Sequence, residues 1–253
     1  MVCFSKILGA CLVSGMTPQD TCVLIPAFNE AKTITWVIRQ VQAEGFKVIV
    51  SDDGSIDGTA SVSRSLGVQV LTADSNQGKG ASIRRGIREF LKSGSKALIL
   101  MDSDGQHDAA ELGHFLEALN LKTADLVIGN RMGSPEGMPW IRRLTNHSMS
   151  WILSRIAGQS IPDSQCGYRA MTRLAAETIL IRSDRFEVES EMILEAARHK
   201  FKIASIPVRS VYAEEASRIH PLKDTLRFFL FLFKYSWFDF AHHDPERGAS
   251  LRR

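Results

Sequence analysis

With 253 residues, 44% of them apolar and 23% charged, the chain has an ordinary globular composition and enough length for one large domain. A net charge of +3 is too weak to imply a nucleic-acid partner, and no apolar run reaches the roughly 20 residues of a membrane span. Four cysteines (Cys3, Cys11, Cys22 and Cys166) show neither metal spacing nor a paired framework, which points to a reducing compartment.

The first twenty residues read as an N-terminal extension: MVCFSKILGACLVSGM is mildly apolar, but its apolar stretch is too short for a signal peptide. TCVLIPAFN is a strand feeding a loop. EAKTITWVIRQVQAEG has helical spacing at Ile34, Val37, Ile38 and Val41 and stops at Gly45. FKVIVSDDGS is a second strand ending in carboxylates, and DGTASVSRSLG a helix closed by Gly67. VQVLTA, GKGASIRRGIREFLKSG and KALILMDSD follow as strand, helix and strand. AELGHFLEALN is helical, and ADLVIGNR is a fifth strand. Beyond it come a loop (MGSPEGMP), an amphipathic helix (WIRRLTNHSMSWILSRIAG), a polar loop (IPDSQCGYRA), a helix (VESEMILEAARHKF), a strand (KIASIPVRSVY) and a loop (AEEASRIHP).

This alternation predicts an α/β fold: a mostly parallel central sheet with helices on both faces. Ligands in such folds bind beyond the carboxyl ends of the strands. Asn29, Glu30, Asp52, Asp53, Asp102, Asp104 and Arg131 all fall at those ends. Any one of them could be a turn or cap residue. Collected at four strand ends, they mark one polar edge.

The sharpest motif is LILMDSDGQH. Asp102 and Asp104 are two apart in an extended segment, so both can face one ligand, with Gln106 in step. Hard cations such as Mg²⁺ or Mn²⁺ take oxygen ligands, and Mg²⁺ typically uses one or two carboxylates plus substrate phosphates. The motif therefore reads as a holder for a metal and a diphosphate. His107, without a partner at zinc spacing, reads as a surface or turn residue. The GKG at Gly78–Gly80 fits neither a P-loop nor a dinucleotide fingerprint, because Ile83 stands where the third glycine belongs.

IPAFNE, VSDDGSIDGT, NQGKG, MDSDGQH, GNR, DSQCGYRA and SRIHPLKDTLRF occur in the order seen in family 2 glycosyltransferases. The chain resembles the branch that contains dolichol-phosphate mannose synthase and bacterial polyprenyl-phosphate glycosyltransferases, from about Thr21 to Phe233. The resemblance implies a GT-A fold and inverting transfer from a nucleoside diphosphate sugar to a polyprenyl phosphate, with Mg²⁺ or Mn²⁺. By position it implies that Pro26, Phe28, Glu30, Ser51, Asp53, Lys79, Asp102 and Ser103 hold the nucleotide, and that Asp104 and Gln106 hold the metal. Phe28 stands where the family usually has Tyr, which keeps a ring and loses a hydroxyl. Arg131, Arg143 and Ser164 would receive the acceptor phosphate, with Arg142 as the alternative to Arg143. Arg218 stands where Lys is common, in a loop that closes on the donor diphosphate; with Asp102, Asp104 and Arg131 it completes the implied catalytic set.

A phosphate monoester needs no general base, because its second pKa of about 6 leaves it anionic near neutral pH. A saccharide hydroxyl acceptor, the nearest rival, would need one among Glu189, Glu191 or Asp163. Two apart on a helix, Glu189 and Glu191 cannot both face the site. A sugar-nucleotide nucleotidyltransferase would want a glycine-rich basic loop after the first strand, which PAFNEAKT does not supply. Intact Asp102, Asp104 and Arg131 speak against a non-catalytic scaffold. Cys166 reads as a small buried loop residue, and Arg173 and Arg182 as solvated.

The expected layout is an extension over 1–20, a catalytic domain over 21–225, an aromatic amphipathic helix over 226–240 and a polar tail over 241–253. In LRFFLFLFKYSWFDF the apolar face runs almost all round, so that helix meets lipid, a membrane-protein partner or the domain core. The expected location is the cytoplasmic face of a membrane, peripherally bound.

Overall fold

The computed structural model describes residues 15–133, 138–209, 227–233 and 235. The apolar run after Asp20 forms β1 (Thr21–Ala27), buried at every position. α1 (Ile34–Ala43) buries Ile34, Val37, Ile38 and Val41, the four residues whose spacing predicts it. β2 (Lys47–Asp52), α2 (Thr59–Ser65), β3 (Gln69–Thr72), α3 (Lys79–Lys92) and β4 (Ala97–Leu100) follow. Gly86 lets α3 sit directly on β1: a Cβ there would collide with Leu24. After β4 come α4 (Leu112–Asn120), β5 (Leu126–Asn130) and α5 (Trp140–Ala157).

The second half adds two short elements that the sequence reading lacks. IPDSQCGYRA is not all loop; it ends in β6 (Arg169–Thr172), followed by α6 (Arg173–Thr178). A four-residue strand containing arginine and threonine carries too little alternation to announce itself. α7 (Val188–Arg198) and β7 (Ile203–Pro207) follow.

The seven strands make one sheet in the order β3-β2-β1-β4-β6-β5-β7. β6 runs antiparallel to both β4 and β5; the other pairings are parallel. The chain winds outward from β1 through β2 to β3, then returns to place β4 on the other side of β1. The strand order thus reverses between β1 and β4, where doubly wound sheets bind ligands. This is the GT-A-like arrangement: a mostly parallel sheet with helices packed on it.

Residues 15–20, assigned to the extension on sequence grounds, are tied to the fold. The Met16 amide donates to Asn120 Oδ1 at 2.7 Å, and Asn120 Nδ2 returns a bond to the Met16 carbonyl at 2.9 Å. At the other end, residues 227–233 and 235 are helical. Phe228 is buried and the Tyr235 hydroxyl donates to Glu195 Oε1 at 2.9 Å, while Phe229, Leu230 and Phe233 are exposed. The aromatic segment therefore meets the domain along one side and leaves the other open. No helix among the described residues is long and apolar enough to cross a membrane.

Candidate active site

β4 ends at Leu100, and Asp102 follows at the switch point. Its Oδ1 lies 2.6 Å from Lys79 Nζ, and its Oδ2 lies 3.7 Å from His107 Nε2. Lys79, at the start of α3, also lies 2.8 Å from Glu189 Oε1, in the first turn of α7. Burial alone would push the Asp102 carboxyl up, but Lys79 and His107 outweigh it and hold it well below the usual carboxylate range. Burial likewise favours a neutral Lys79, yet Asp102 and Glu189 raise its pKa above the ordinary lysine value. Gly167 of the DSQCGYRA motif makes room for this group, because a Cβ there would collide with the Asp102 carboxylate. His107 is not a surface residue: it is buried, with its ring 4.8 Å from that of Tyr168.

The loops after β1 and β2 form one wall beside this centre. Pro26 lies in β1, and Ser51 is buried in β2. Asp53 Oδ2 accepts the amides of Gln77 and Gly78 at 3.0 and 2.7 Å. Arg85 Nη1 donates to Ser51 Oγ and to the Asp52 carbonyl, both at 3.1 Å. Phe28 and Glu30 are half-buried, and Glu30 reaches the loop after β4 through Thr33. The Thr33 hydroxyl lies 3.2 Å from Glu30 Oε2 and 2.8 Å from the Ser103 carbonyl. Asn29, with φ 56°, accepts the Ile56 amide on its side chain at 3.0 Å and joins the two loops. The structure thus gathers Pro26, Phe28, Glu30, Ser51, Asp53, Lys79, Asp102 and Ser103 around the ends of β1, β2 and β4.

Asp104 stands two residues beyond Asp102, and its Oδ1 accepts the Gln106 amide at 2.9 Å. Although the residue is exposed overall, partial desolvation of its carboxyl and then the nearby Asp102 charge push its pKa up. A carboxylate whose ionisation is opposed by burial and by a neighbouring carboxylate is a fit for a divalent cation. Among the described residues no cluster of three or more His, Cys, Asp or Glu side chains forms a metal cage. Two carboxylates and an amide suffice where a diphosphate supplies further oxygens.

The GKG segment is no phosphate cradle. The Gly80 and Ala81 amides both donate to the Asp184 carbonyl, at 2.8 and 3.3 Å, and a Cβ on Gly78 or Gly80 would collide with the 183–184 backbone. Glu191 holds that loop from the other side, its carboxylate accepting the Arg182 and Ser183 amides at 2.8–3.0 Å.

Across the cleft, Arg131 follows β5 and is buried in a two-pronged pair with Asp163: Nε–Oδ2 is 2.8 Å and Nη2–Oδ1 is 3.0 Å. Arg143, on α5, lines a groove with Met132, Trp140, Leu144, His147 and Pro162. Met132 and Pro162 are chain neighbours of Arg131 and Asp163, so the groove opens beside that pair. Ser164 is buried, and its Oγ accepts from Ser150 Oγ at 3.1 Å. Arg218 lies outside the described residues.

Several site residues escaped the sequence. Arg85 could have been found from its place nearly two turns along α3, facing β2. Arg169, fully buried, donates to the carbonyls of Ser164, Cys166 and Glu189, and nothing in its sequence setting announces this. Arg173 is not solvated: it donates to the carbonyls of Leu91, Ser93 and Ser95 and lies over the Phe90 ring. Cys166 is buried as expected, and burial pushes its thiol up to about 11.

Residues 22–180 match the profile described as Glycosyl transferase family 2, so the chain belongs to that family. A UDP-N-acetylglucosamine–dolichyl-phosphate N-acetylglucosaminyltransferase of Methanococcus voltae is 26% identical over 215 residues, 76% of this chain and 86% of that protein. Polyprenol monophosphomannose synthase of Mycolicibacterium smegmatis is 29% identical over 204 residues, covering 75% and 77% respectively. Among solved structures, glucosyl-3-phosphoglycerate synthase of Mycobacterium tuberculosis, in complex with Mn²⁺, uridine diphosphate and glucosyl-3-phosphoglycerate, superposes with a TM-score of 0.67. That match covers 87% of this chain and 80% of the other at 19% identity, a likeness of fold.

Proposed function

We propose that this family 2 glycosyltransferase moves a sugar, with inversion, from a nucleoside diphosphate sugar to a polyprenyl phosphate at a membrane surface. The observation that carries the reading is the groove beside Arg131 and Asp163, where the Arg143 cation shares a wall with Trp140, Leu144, Met132 and Pro162. A cation on an apolar wall suits an acceptor that is anionic at its head and hydrocarbon behind it. The names of the two relatives, a dolichyl-phosphate N-acetylglucosaminyltransferase and a polyprenol monophosphomannose synthase, support the same class.

In this reading Pro26, Phe28, Glu30, Ser51, Asp53, Lys79, Asp102 and Ser103 hold the nucleotide, and Asp104 and Gln106, beside Asp102, hold Mg²⁺ or Mn²⁺. When bound, the cation would supply charge stabilisation to the departing diphosphate. Arg218 would add a second positive charge there. Arg131, fixed by Asp163, and Arg143 would hold the attacking phosphate oxygen in line, with Ser164 lining the same side. Positioning and charge then provide the catalysis.

The rival hydroxyl acceptor loses ground on its base. Glu189 is paired with Lys79, Asp163 with Arg131, and Glu191 is spent on two loop amides. Exposed Trp140, Ile141, Leu144, Trp151 and Ile156 on α5, with Arg143 and Arg155 among them, support peripheral attachment to a membrane. The open side of the C-terminal segment, at Phe229, Leu230 and Phe233, would meet the same surface or a membrane-protein partner. The proposed layout keeps the catalytic domain over 21–225 and the aromatic segment over 226–240, on the cytoplasmic side.

The test is incubation with radiolabelled UDP- and GDP-sugars and vesicles carrying polyprenyl phosphate, followed by lipid extraction. Label in an acid-labile lipid supports the reading. Label confined to a water-soluble product overturns it.

A further inference from the structure

Glu189 does no chemistry in that reading, yet it sits at the centre. One ammonium, Lys79 Nζ, is shared by two carboxylates, at 2.6 Å from Asp102 and 2.8 Å from Glu189. The second Glu189 oxygen, Oε2, is buried and has no hydrogen-bond partner among the described residues. The Glu189 carbonyl accepts Arg169 Nη1 at 2.6 Å, which pins the first turn of α7. A small cavity lies beside these groups, lined by Pro26, Lys79, Asp102, Gly167, Arg169 and Glu189. The ammonium thus has an unused oxygen within reach, on a carboxylate it already touches.

We propose that Glu189 is a positioning residue: it is the seat to which Lys79 withdraws when a divalent cation takes Asp102. The inference rests on the metal assignment made above and extends it to Asp102 as a further ligand. A cation held by Asp102 and Asp104 would lie beside the Lys79 ammonium, and the two positive charges repel. Lys79 starts from a mostly enclosed position, and an unpaired buried ammonium is costly. With Glu189 present, Lys79 gives up Asp102 and keeps a counter-charge through both glutamate oxygens. With Glu189 neutral, Lys79 stays clamped on Asp102 and competes with the cation. The residue that sets metal affinity is therefore one that never touches the metal.

The experiment is a Mn²⁺ titration followed by electron paramagnetic resonance, run with UDP and with GDP against protein-free controls, in which bound Mn²⁺ loses the free-ion signal. It compares wild type, Glu189→Gln, Glu189→Asp, and Glu189→Gln combined with Lys79→Met, with a melting curve for each. Glu189→Gln should weaken Mn²⁺ binding about tenfold or more, the scale of one charge-assisted hydrogen bond. Adding Lys79→Met should restore the affinity, since the competing ammonium is gone. Glu189→Asp, which keeps the charge on a shorter arm, should fall between, and it serves as the test if the glutamine variant does not fold. Wild-type Mn²⁺ affinity in Glu189→Gln overturns the inference, as does a loss that Lys79→Met leaves unrepaired. A fall in kcat of about 10²–10⁴ with Mn²⁺ affinity intact would make Glu189 a general base instead. No Mn²⁺ binding by the wild type overturns the metal assignment itself.

Discussion

On the β1–β4 side of the cleft the polar groups are already tied to one another. Asp53 is bound by two loop amides, Asp102 by Lys79 and His107, and Glu30 through Thr33 to the Ser103 carbonyl. On the β5–β7 side a buried pair, Arg131 with Asp163, stands next to an open groove and a helix that shows tryptophans to solvent. The first side is preorganised, which suits a charged, compact ligand whose transition state gains from fixed dipoles. The second offers one fixed charge and much apolar surface, which suits a ligand that arrives with its own apolar body. On the proposed assignment, the contrast is one of recognition by different physics: fixed geometry for the donor, adaptable apolar surface for the acceptor.

Perturbing the donor side should have the largest effect. Asp104→Asn should lower transfer by about 10²–10³-fold, the scale of removing one group aimed at developing charge. Its melting temperature should hold or rise, because the repulsion from Asp102 is relieved; a clear fall in thermal unfolding would contradict the donor-side account. On the acceptor side, Arg143→Ala should cost roughly ten- to a hundredfold, matching about 1.5–3 kcal/mol for one charge-assisted contact. The loss should appear in the acceptor's KM, with nucleotide binding unchanged by calorimetry. Equal loss of both substrates would erase the distinction between the two sides.

Smaller effects should sharpen it. Replacing Trp140 and Trp151 together with Ser should weaken sedimentation with anionic vesicles by several-fold, less than two fully buried rings would give because an interface withdraws each ring from water only in part. Nucleotide binding should stay as in wild type. Smallest should be Glu191→Gln, which keeps one acceptor oxygen for the Arg182 and Ser183 amides. It should cost about 1 kcal/mol of stability by denaturant unfolding and leave vesicle binding untouched.

The donor side is also the side the sequence announces. Its strands are long apolar runs, its helices bury the residues that the spacing selects, and its carboxylates stand at strand ends where no core has use for them. α1 and the MDSDGQH motif are legible for that reason. The second half is legible only in outline. β6 is four residues long and antiparallel in a mostly parallel sheet. The burial of Arg169 depends on carbonyls from Ser164, Cys166 and Glu189, two nearby in the chain and one twenty residues away. The role of Gly167 appears only once Asp102 is seen against it. Lys79 was placed with the nucleotide by its motif, but its sharing between Asp102 and Glu189 joins α3, β4 and α7, elements far apart in the chain. Long-range charge pairing of this kind leaves no local period to read.

The most direct measurement supplies one short polyprenyl phosphate and the matching polyprenol side by side, with each sugar nucleotide in turn, and follows transfer at neutral pH. The account predicts turnover with the phosphate alone, and a loss of that turnover in Arg143→Ala. Transfer to the alcohol and not to the phosphate, with collapse in Glu189→Gln at unchanged Mn²⁺ affinity, would contradict it.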